Sequence, residues 1–227
     1  FIDGEQPETC RKCWDEERSG RTSKRMHTLN RLKHMIPEQD WTLDAKPLMF
    51  LDLKLGNICN LKCRICGSWS SSKWAAEEMD YLPREANKKT HIAYTWLKQG
   101  RWPEESPDFW ANLKTLLPNI RYFEFTGGEP FLIDEHFDLL QYAVDSGYAS
   151  NIEIHYNTNG TVFPEQHHLW SHFKHVEVAF SIDNIGKRFE YERYGALWDE
   201  VQVNLNRLAY LRSNQLSIQL CLTVNIQ

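Results

Sequence analysis

The chain has 227 residues, 41% of them hydrophobic and 13% aromatic, with a formal net charge of −5. That composition belongs to a folded chain long enough to bury its own core, and it excludes a disordered polar tract. The acidic balance offers no overall field for nucleic acid or an anionic membrane, and no apolar run approaches the roughly 20 residues of a membrane-spanning helix.

In chain order, the first feature is a basic N-terminal segment. Cys10 and Cys13 are separated by two residues, and residues 11–34 carry eight Lys or Arg against three acids. A charge run of this kind reads as a solvated helix face, so residues 1–45 are expected to form a short helical segment ahead of a main domain over 46–227. A buried strand is predicted over residues 49–56. It runs into Asn57-Ile58-Cys59-Asn60-Leu61-Lys62-Cys63-Arg64-Ile65-Cys66, where three thiols fall within eight positions. Thiolates at Cys59, Cys63 and Cys66 suit three irons of a cubic four-iron cluster. No fourth Cys is near, so one iron would keep an open position. A zinc knuckle or a disulfide is the competing reading, although structural zinc usually takes four ligands in paired groups and disulfides belong mainly to small secreted domains. Residues 67–119 follow, with helices predicted at 71–80 and 108–117. Trp69, Trp74, Trp96, Trp102 and Trp110 fall in or beside them, and read as the packing of an insertion or as a lid over substrate.

Four more strands are predicted at 120–126, 151–157, 176–182 and 217–225, with helices at 134–146, 165–173 and 197–212. Asp134 is the expected N-cap of the first of these helices, followed by an acidic first turn, and Gly147 its C-terminal stop. Strands alternating with helices imply βα units around a parallel sheet, whose active sites gather at the C-terminal strand ends. Each strand end here carries ligand-binding chemistry. The second ends in Thr126-Gly127-Gly128-Glu129-Pro130, in which the glycines let backbone approach a ligand and Glu129 offers a carboxylate to an ammonium group. The third ends in Asn157-Thr158-Asn159-Gly160. In the fourth, Ser181 and Asp183 alternate onto one side of the strand and suit ribose hydroxyls. The fifth ends in Thr223-Val224-Asn225, placing Asn225 for a further polar contact. Glu165, His167, His168, His172 and His175 form the densest His group, and His168 and His172 stand at i, i+4. They precede the fourth strand, at the non-catalytic rim, and so read as a surface helix rather than a zinc site. Cys221, inside the fifth strand, reads as a buried small hydrophobe.

The Cys-x3-Cys-x2-Cys loop resembles that of the radical S-adenosylmethionine (radical SAM) enzymes. The resemblance implies a [4Fe-4S] cluster on Cys59, Cys63 and Cys66, with S-adenosylmethionine (AdoMet) chelating the unique iron. Reduction then yields a 5′-deoxyadenosyl radical that takes a hydrogen atom from substrate. Gly127, Gly128, Glu129 and Pro130 match the family's GGEP element, which contacts the methionine amino group. Asn157 and Asn159 match its TNG element beside the cofactor, and Arg193, in Arg193-Tyr194-Gly195, resembles an Arg that faces AdoMet. One departure is Ile65, where family members often carry an aromatic residue near the adenine.

The fold implied is α/β, a partial (βα)6 TIM-like barrel. The chain begins at Phe1 rather than Met and stops just after the fifth predicted strand, so it reads as a fragment lacking helix five and a sixth βα unit. Pro7 to Ser23 resembles the tail of a SPASM or twitch auxiliary-cluster segment. That resemblance implies Cys10 and Cys13 as part of a second iron–sulfur site, and a peptide or small protein as substrate. It further implies an electron donor such as flavodoxin or ferredoxin, while free thiols and an oxidation-sensitive cluster argue for the reducing cytoplasm. A non-catalytic zinc or iron–sulfur module is the alternative.

Overall fold

The computed structural model describes residues 4–35 and 47–223. The chain divides into two compact units, Phe1–Pro47 and Leu48–Gln227. In the first, a 3-10 turn at Glu8–Cys10 runs into α1 (Arg11–Arg18), and α2 (Lys24–Leu32) follows. The Ser23 hydroxyl caps α2 by accepting the Met26 N–H at 3.1 Å. Cys10 and Cys13 are free and half-buried there.

The second unit runs β1 (Phe50–Lys54), β2 (Lys62–Cys63), α3 (Ser72–Asp80), α4 (Ile92–Gln99), α5 (Trp102–Glu105) and α6 (Pro107–Leu116). It continues through β3 (Tyr122–Thr126), α7 (Asp134–Asp145), β4 (Glu153–Thr158), β5 (His175–Ile182), α8 (Gly186–Glu192), β6 (Arg193–Tyr194), α9 (Trp198–Tyr210) and β7 (Leu216–Leu222). The five long strands form one sheet in the order β1-β3-β4-β5-β7, every pair parallel. Because the order is sequential and crossovers are right-handed, the connecting helices fall on one face, as in a partial βα barrel. That face is apolar. Phe123, Phe125, Ile154, Tyr156, Val176, Val178 and Phe180 are buried in one core with Phe137, Leu139 and Leu140 of α7 and Trp110 of α6. The alternate residues point to the other face and are mostly polar. Asp52, Glu124, His155, Glu177 and Ser217 share one cross-strand row, and Lys54 pairs with Thr126 in a row nearer the strand ends.

Several expectations change. The segment predicted as a helix over 165–173 is a 3-10 helix, Glu165–His172, which buries Leu169 and Trp170. At three residues per turn, His168 and His172 do not stack on one face. Ile133, with extended backbone, holds the N-cap position of α7, and Asp134 is its first residue. The acid therefore acts through the helix dipole rather than as a cap. Gly147 does stop α7: at φ +76° it donates to Val144 O at 3.0 Å while Tyr148 donates to Ala143 O at 2.9 Å, a Schellman closure. Cys221 is half-buried rather than buried, because it lies on the polar face of the last paired strand, opposite Ser181. The β2–β6 ribbon, α4, α5 and α8 are additional to the predicted elements. Val224 and Asn225 lie outside the described residues. In the Trp-rich insertion, α3 and α4 share a small core of Ala75, Met79 and Ala93, with Trp96 and Leu97 against it. Among the described residues, no helix is long and apolar enough to cross a membrane.

Candidate cofactor site at the strand ends

The thiol loop leaves the C-terminal end of β1 through Gly56, whose φ of +76° and approach to Gly100 leave no room for a side chain: a Cβ there would sit 1.9 Å from the Gly100 carbonyl oxygen. The loop's backbone polar groups are taken up locally. Asn57 Nδ2 donates to Ser68 O at 2.7 Å, Ser71 Oγ to Leu61 O at 2.5 Å, and Trp74 Nε1 to Cys63 O at 2.9 Å. Cys63 also pairs with Arg193 in the antiparallel β2–β6 ribbon. The sequence singles out neither Asn57 nor Ser71, and it reads Trp74 only as packing of the insertion or as part of a lid; the scaffolding role of all three follows from the fold.

Cys59, Cys63 and Cys66 stand together on this loop, Cys63 buried and the others half-buried. Burial pushes the Cys59 thiol up to about 11. A hydrogen bond between Cys63 and Cys66, with burial added, pushes Cys63 up, while the same bond, working against burial, brings Cys66 down to about 7. The donors around the sulfurs are amide and guanidinium groups. Leu61 N lies 3.5 Å and Asn159 Nδ2 3.8 Å from Cys59 Sγ, and Arg193 Nη1 lies 3.9 Å from Cys63 Sγ. N–H donors and one fixed cation suit a thiolate-ligated, anionic cluster. Among the described residues, no three His, Cys, Asp or Glu side chains gather tightly enough to hold a single metal ion. A cubic cluster asks instead for one thiolate at each of three separate corners.

The turn after β3 packs directly on the thiol loop. Gly127 and Gly128 have φ of +83° and +54°, and a Cβ on Gly128 would meet Ile58 O at 2.2 Å. Glu129 N donates to that same carbonyl at 2.8 Å. The Glu129 carboxylate is fully buried and turned inward. Oε1 accepts from Thr158 Oγ1 at 2.7 Å and Phe131 N at 3.3 Å, and Oε2 from Asn159 N at 2.7 Å. Burial still outweighs these donors and raises the acid to about 7. Glu129, expected as an ammonium acceptor, also ties the ends of β3 and β4 together. Pro130 opens the 3-10 turn that follows it.

Asn159 extends the tie. Its Nδ2 donates to Asn60 Oδ1 at 3.1 Å and its Oδ1 accepts from Thr161 N at 2.9 Å. Asn157 sits on the polar face opposite Ala179, and Ser181 opposite Cys221. Asp183 is paired through one oxygen: its Oδ2 lies 2.8 Å from Arg193 Nη2, with both side chains buried. Arg193 thus bridges Asp183 to the thiol loop. The structure brings together the thiols, the Gly-Gly-Glu turn, Asn159, Asp183 and Arg193, and sets His168 and His172 on the 3-10 helix that precedes β5.

Comparison with known proteins gives the family. Residues 53–222 match the Radical SAM superfamily. Among solved structures, the chain is similar to anSMEcpe with bound AdoMet, at 18% identity and a TM-score of 0.48 over 77% of this chain and 42% of that one. It is also similar to Streptococcus suis SuiB bound to its precursor peptide SuiA, at 17% identity and a TM-score of 0.46 over 86% and 35%. The chain therefore spans only 35–42% of the length of these proteins. Among curated proteins, none matches it. The family match covers most of the chain, including the thiol loop and the strand-end elements from Gly127 to Arg193, and the chain belongs to the Radical SAM superfamily.

Proposed function

We propose that Cys59, Cys63 and Cys66 hold a [4Fe-4S] cluster whose open iron takes AdoMet. The observation that carries this reading is the packing of the Gly128–Glu129 turn on Ile58 of the thiol loop. It sets the Gly-Gly-Glu turn directly beside three thiols that have no fourth Cys near them in sequence. When bound, the pair supplies reductive cleavage of AdoMet and a 5′-deoxyadenosyl radical that abstracts hydrogen from substrate. The chain's own part is positional. Gly127 and Gly128 leave their backbone free of side-chain bulk at the loop, Glu129 and Asn159 lock two strand ends beneath it, and Arg193 holds a cation against Cys63. Ser181 and Asp183 are candidates for the ribose hydroxyls, Asn157 for a place beside the cofactor, and Asn225 for a further polar contact.

The reading extends to a peptide or small protein as substrate, with Cys10 and Cys13 contributing to an auxiliary cluster in the segment 1–45. It also includes delivery of electrons by a flavodoxin or ferredoxin in a reducing cytoplasm. Anaerobic reconstitution followed by dithionite tests the core of it. Formation of 5′-deoxyadenosine from AdoMet, lost in Cys63→Ala, is the expected result, and intact AdoMet under those conditions contradicts it.

A further inference from the structure

The two ends of the thiol loop have different surroundings. At its start, Ile58 is packed against the Gly-Gly-Glu turn. At its end, Arg64 and Ile65, the two residues between Cys63 and Cys66, are exposed. There the loop is backed by α8 and the β2–β6 ribbon. Arg64 N donates to Glu192 O at 2.8 Å, its Nε donates to Tyr191 O at 3.0 Å, and its guanidinium lies 3.8 Å from the centre of the Tyr191 ring. Lys62, on the other side of Cys63, is the register partner of Tyr194 and holds its Nζ 5.0 Å from that ring. Tyr191 and Tyr194 are nevertheless 56% and 59% exposed. Exposed tyrosines beside an Arg that is already held in place are what concentrates at the energetic centre of protein–protein interfaces. Here they adjoin the segment that carries two of the three thiols.

The sign of this patch follows from which charges are paired. Lys62 pairs with Glu77, and Lys187 with Glu190 at 2.7 Å, so these four cancel. Arg64 and Arg188 make no ion pair among the described residues. Arg188 is exposed on α8, three residues before Tyr191, and residues at that spacing are neighbours on a helix surface. Two uncancelled guanidiniums therefore flank Tyr191, on a chain whose net charge is −5. A local cationic patch of this kind draws an acidic partner to one place on the surface and sets its orientation. The cleavage proposed above consumes one electron, and at Arg64 and Ile65 the stretch between two thiols meets solvent.

We propose that Arg64, Tyr191 and Arg188, with Ile65 and Tyr194 at the edge, form the docking surface of an acidic one-electron carrier protein. This deepens the functional reading and rests on it, since the cluster is what receives the electron. One electron leaves the carrier's reduced flavin or iron–sulfur group, oxidising it by one electron, and reduces the cluster by one; no covalent bond forms or breaks in the transfer. The test takes the anaerobically reconstituted chain and two purified carriers of acidic surface, a reduced flavodoxin and a reduced ferredoxin, and follows cluster reduction by stopped flow. Arg64→Glu and Arg188→Glu should each slow reduction about tenfold at low salt, and Tyr191→Ala should weaken carrier binding about tenfold. Added salt should narrow the gap between parent and charge variants, because exposed charges are screened. Arg212→Glu, an exposed site beyond the end of α9, should match the parent, and the faster carrier names the cofactor class. Dithionite needs no docking surface and should reduce every variant as fast as the parent; slow dithionite reduction marks a damaged loop in that variant, and the other charge variant then decides. Binding of the oxidised carriers, read by titration calorimetry, does not depend on electron uptake. A carrier held through these residues by a chain with no AdoMet-responsive cluster would sink the functional reading and leave the docking surface standing. Equal reduction and binding in the parent and both Arg variants overturns the proposal. So does variant-sensitive binding of a hexaglutamate peptide or an oligonucleotide more tightly than of either carrier, which would assign the patch to an acidic peptide or to nucleic acid.

Discussion

Glu129 Oε2 accepts the backbone N–H of Asn159 at 2.7 Å, 30 residues along the chain, and so clamps the end of β3 to the end of β4. Oε1 of the same carboxylate holds Thr158 and Phe131. Glu129→Ala would strand these donors in a sealed site, where each unpaired group costs about 1–3 kcal/mol. Chemical denaturation should therefore show a loss of about 3 kcal/mol or more, and AdoMet binding should weaken along with it. Retained stability would mean the carboxylate faces the cofactor instead.

Two glycines give a matched pair of tests. Gly128→Ala forces a side chain against Ile58 O at positive φ, so it should displace the thiol loop and lower iron uptake on reconstitution. Gly147→Ala has the same problem of φ, at +76°, but meets nothing within 4 Å. It should cost only about 1 kcal/mol and leave iron uptake unchanged. Comparing iron content of the two variants separates backbone strain from the packing of turn on loop.

Arg193 and Asp183 form a buried pair at 2.8 Å beside Cys63. Removing one partner of such a pair costs about 3–5 kcal/mol, because the other is left as an uncompensated charge. Arg193→Gln and Asp183→Asn should each be strongly destabilising, and the double variant less so than the sum. Arg193→Gln should also lower the cluster's midpoint potential, because a cation that favours the reduced, more anionic state is lost. An unchanged potential would place Arg193 in a structural role alone.

His136 supplies a pH signature. Sealed in the core with Nδ1 2.6 Å from Ile133 O, its ring is pushed down to about 3 by burial. A histidine depressed in the folded state stabilises the fold above its ordinary value of about 6.5, and loses that contribution as pH falls, because only the unfolded chain takes the proton. Between pH 7 and pH 5 the chain should lose about 2 kcal/mol from this group. His136→Phe should remove that slope in denaturation curves taken at the two pH values.

Much of the fold was legible because strand and helix periods differ. The five long strands and α3, α6, α7 and α9 lie within a few residues of their predicted spans, and the strand-end elements fall on one side of the sheet. What was not legible depends on contacts distant in sequence. The β2–β6 ribbon is two residues long on each side, too short to leave a period, and Arg193 reaches Cys63 across 130 residues. Asp183 was read as facing a ribose, and its pairing with Arg193 was not legible, because alternation gives a side chain's face and not its partner. Cys221 was read as buried from its strand alone, whereas its exposure is set by which face of that strand the helices leave bare. The 3-10 geometry of Glu165–His172 likewise arises from burying Leu169 and Trp170 in a short connection.

The most direct test is electron paramagnetic resonance of the anaerobically reconstituted and reduced chain, with and without AdoMet. The account predicts about four irons and four sulfides at the three thiols, as a cubic cluster requires, lost when Cys59, Cys63 or Cys66 is replaced, with a signal that AdoMet alters. Zinc at the three thiols, or an iron–sulfur signal indifferent to AdoMet, would contradict it.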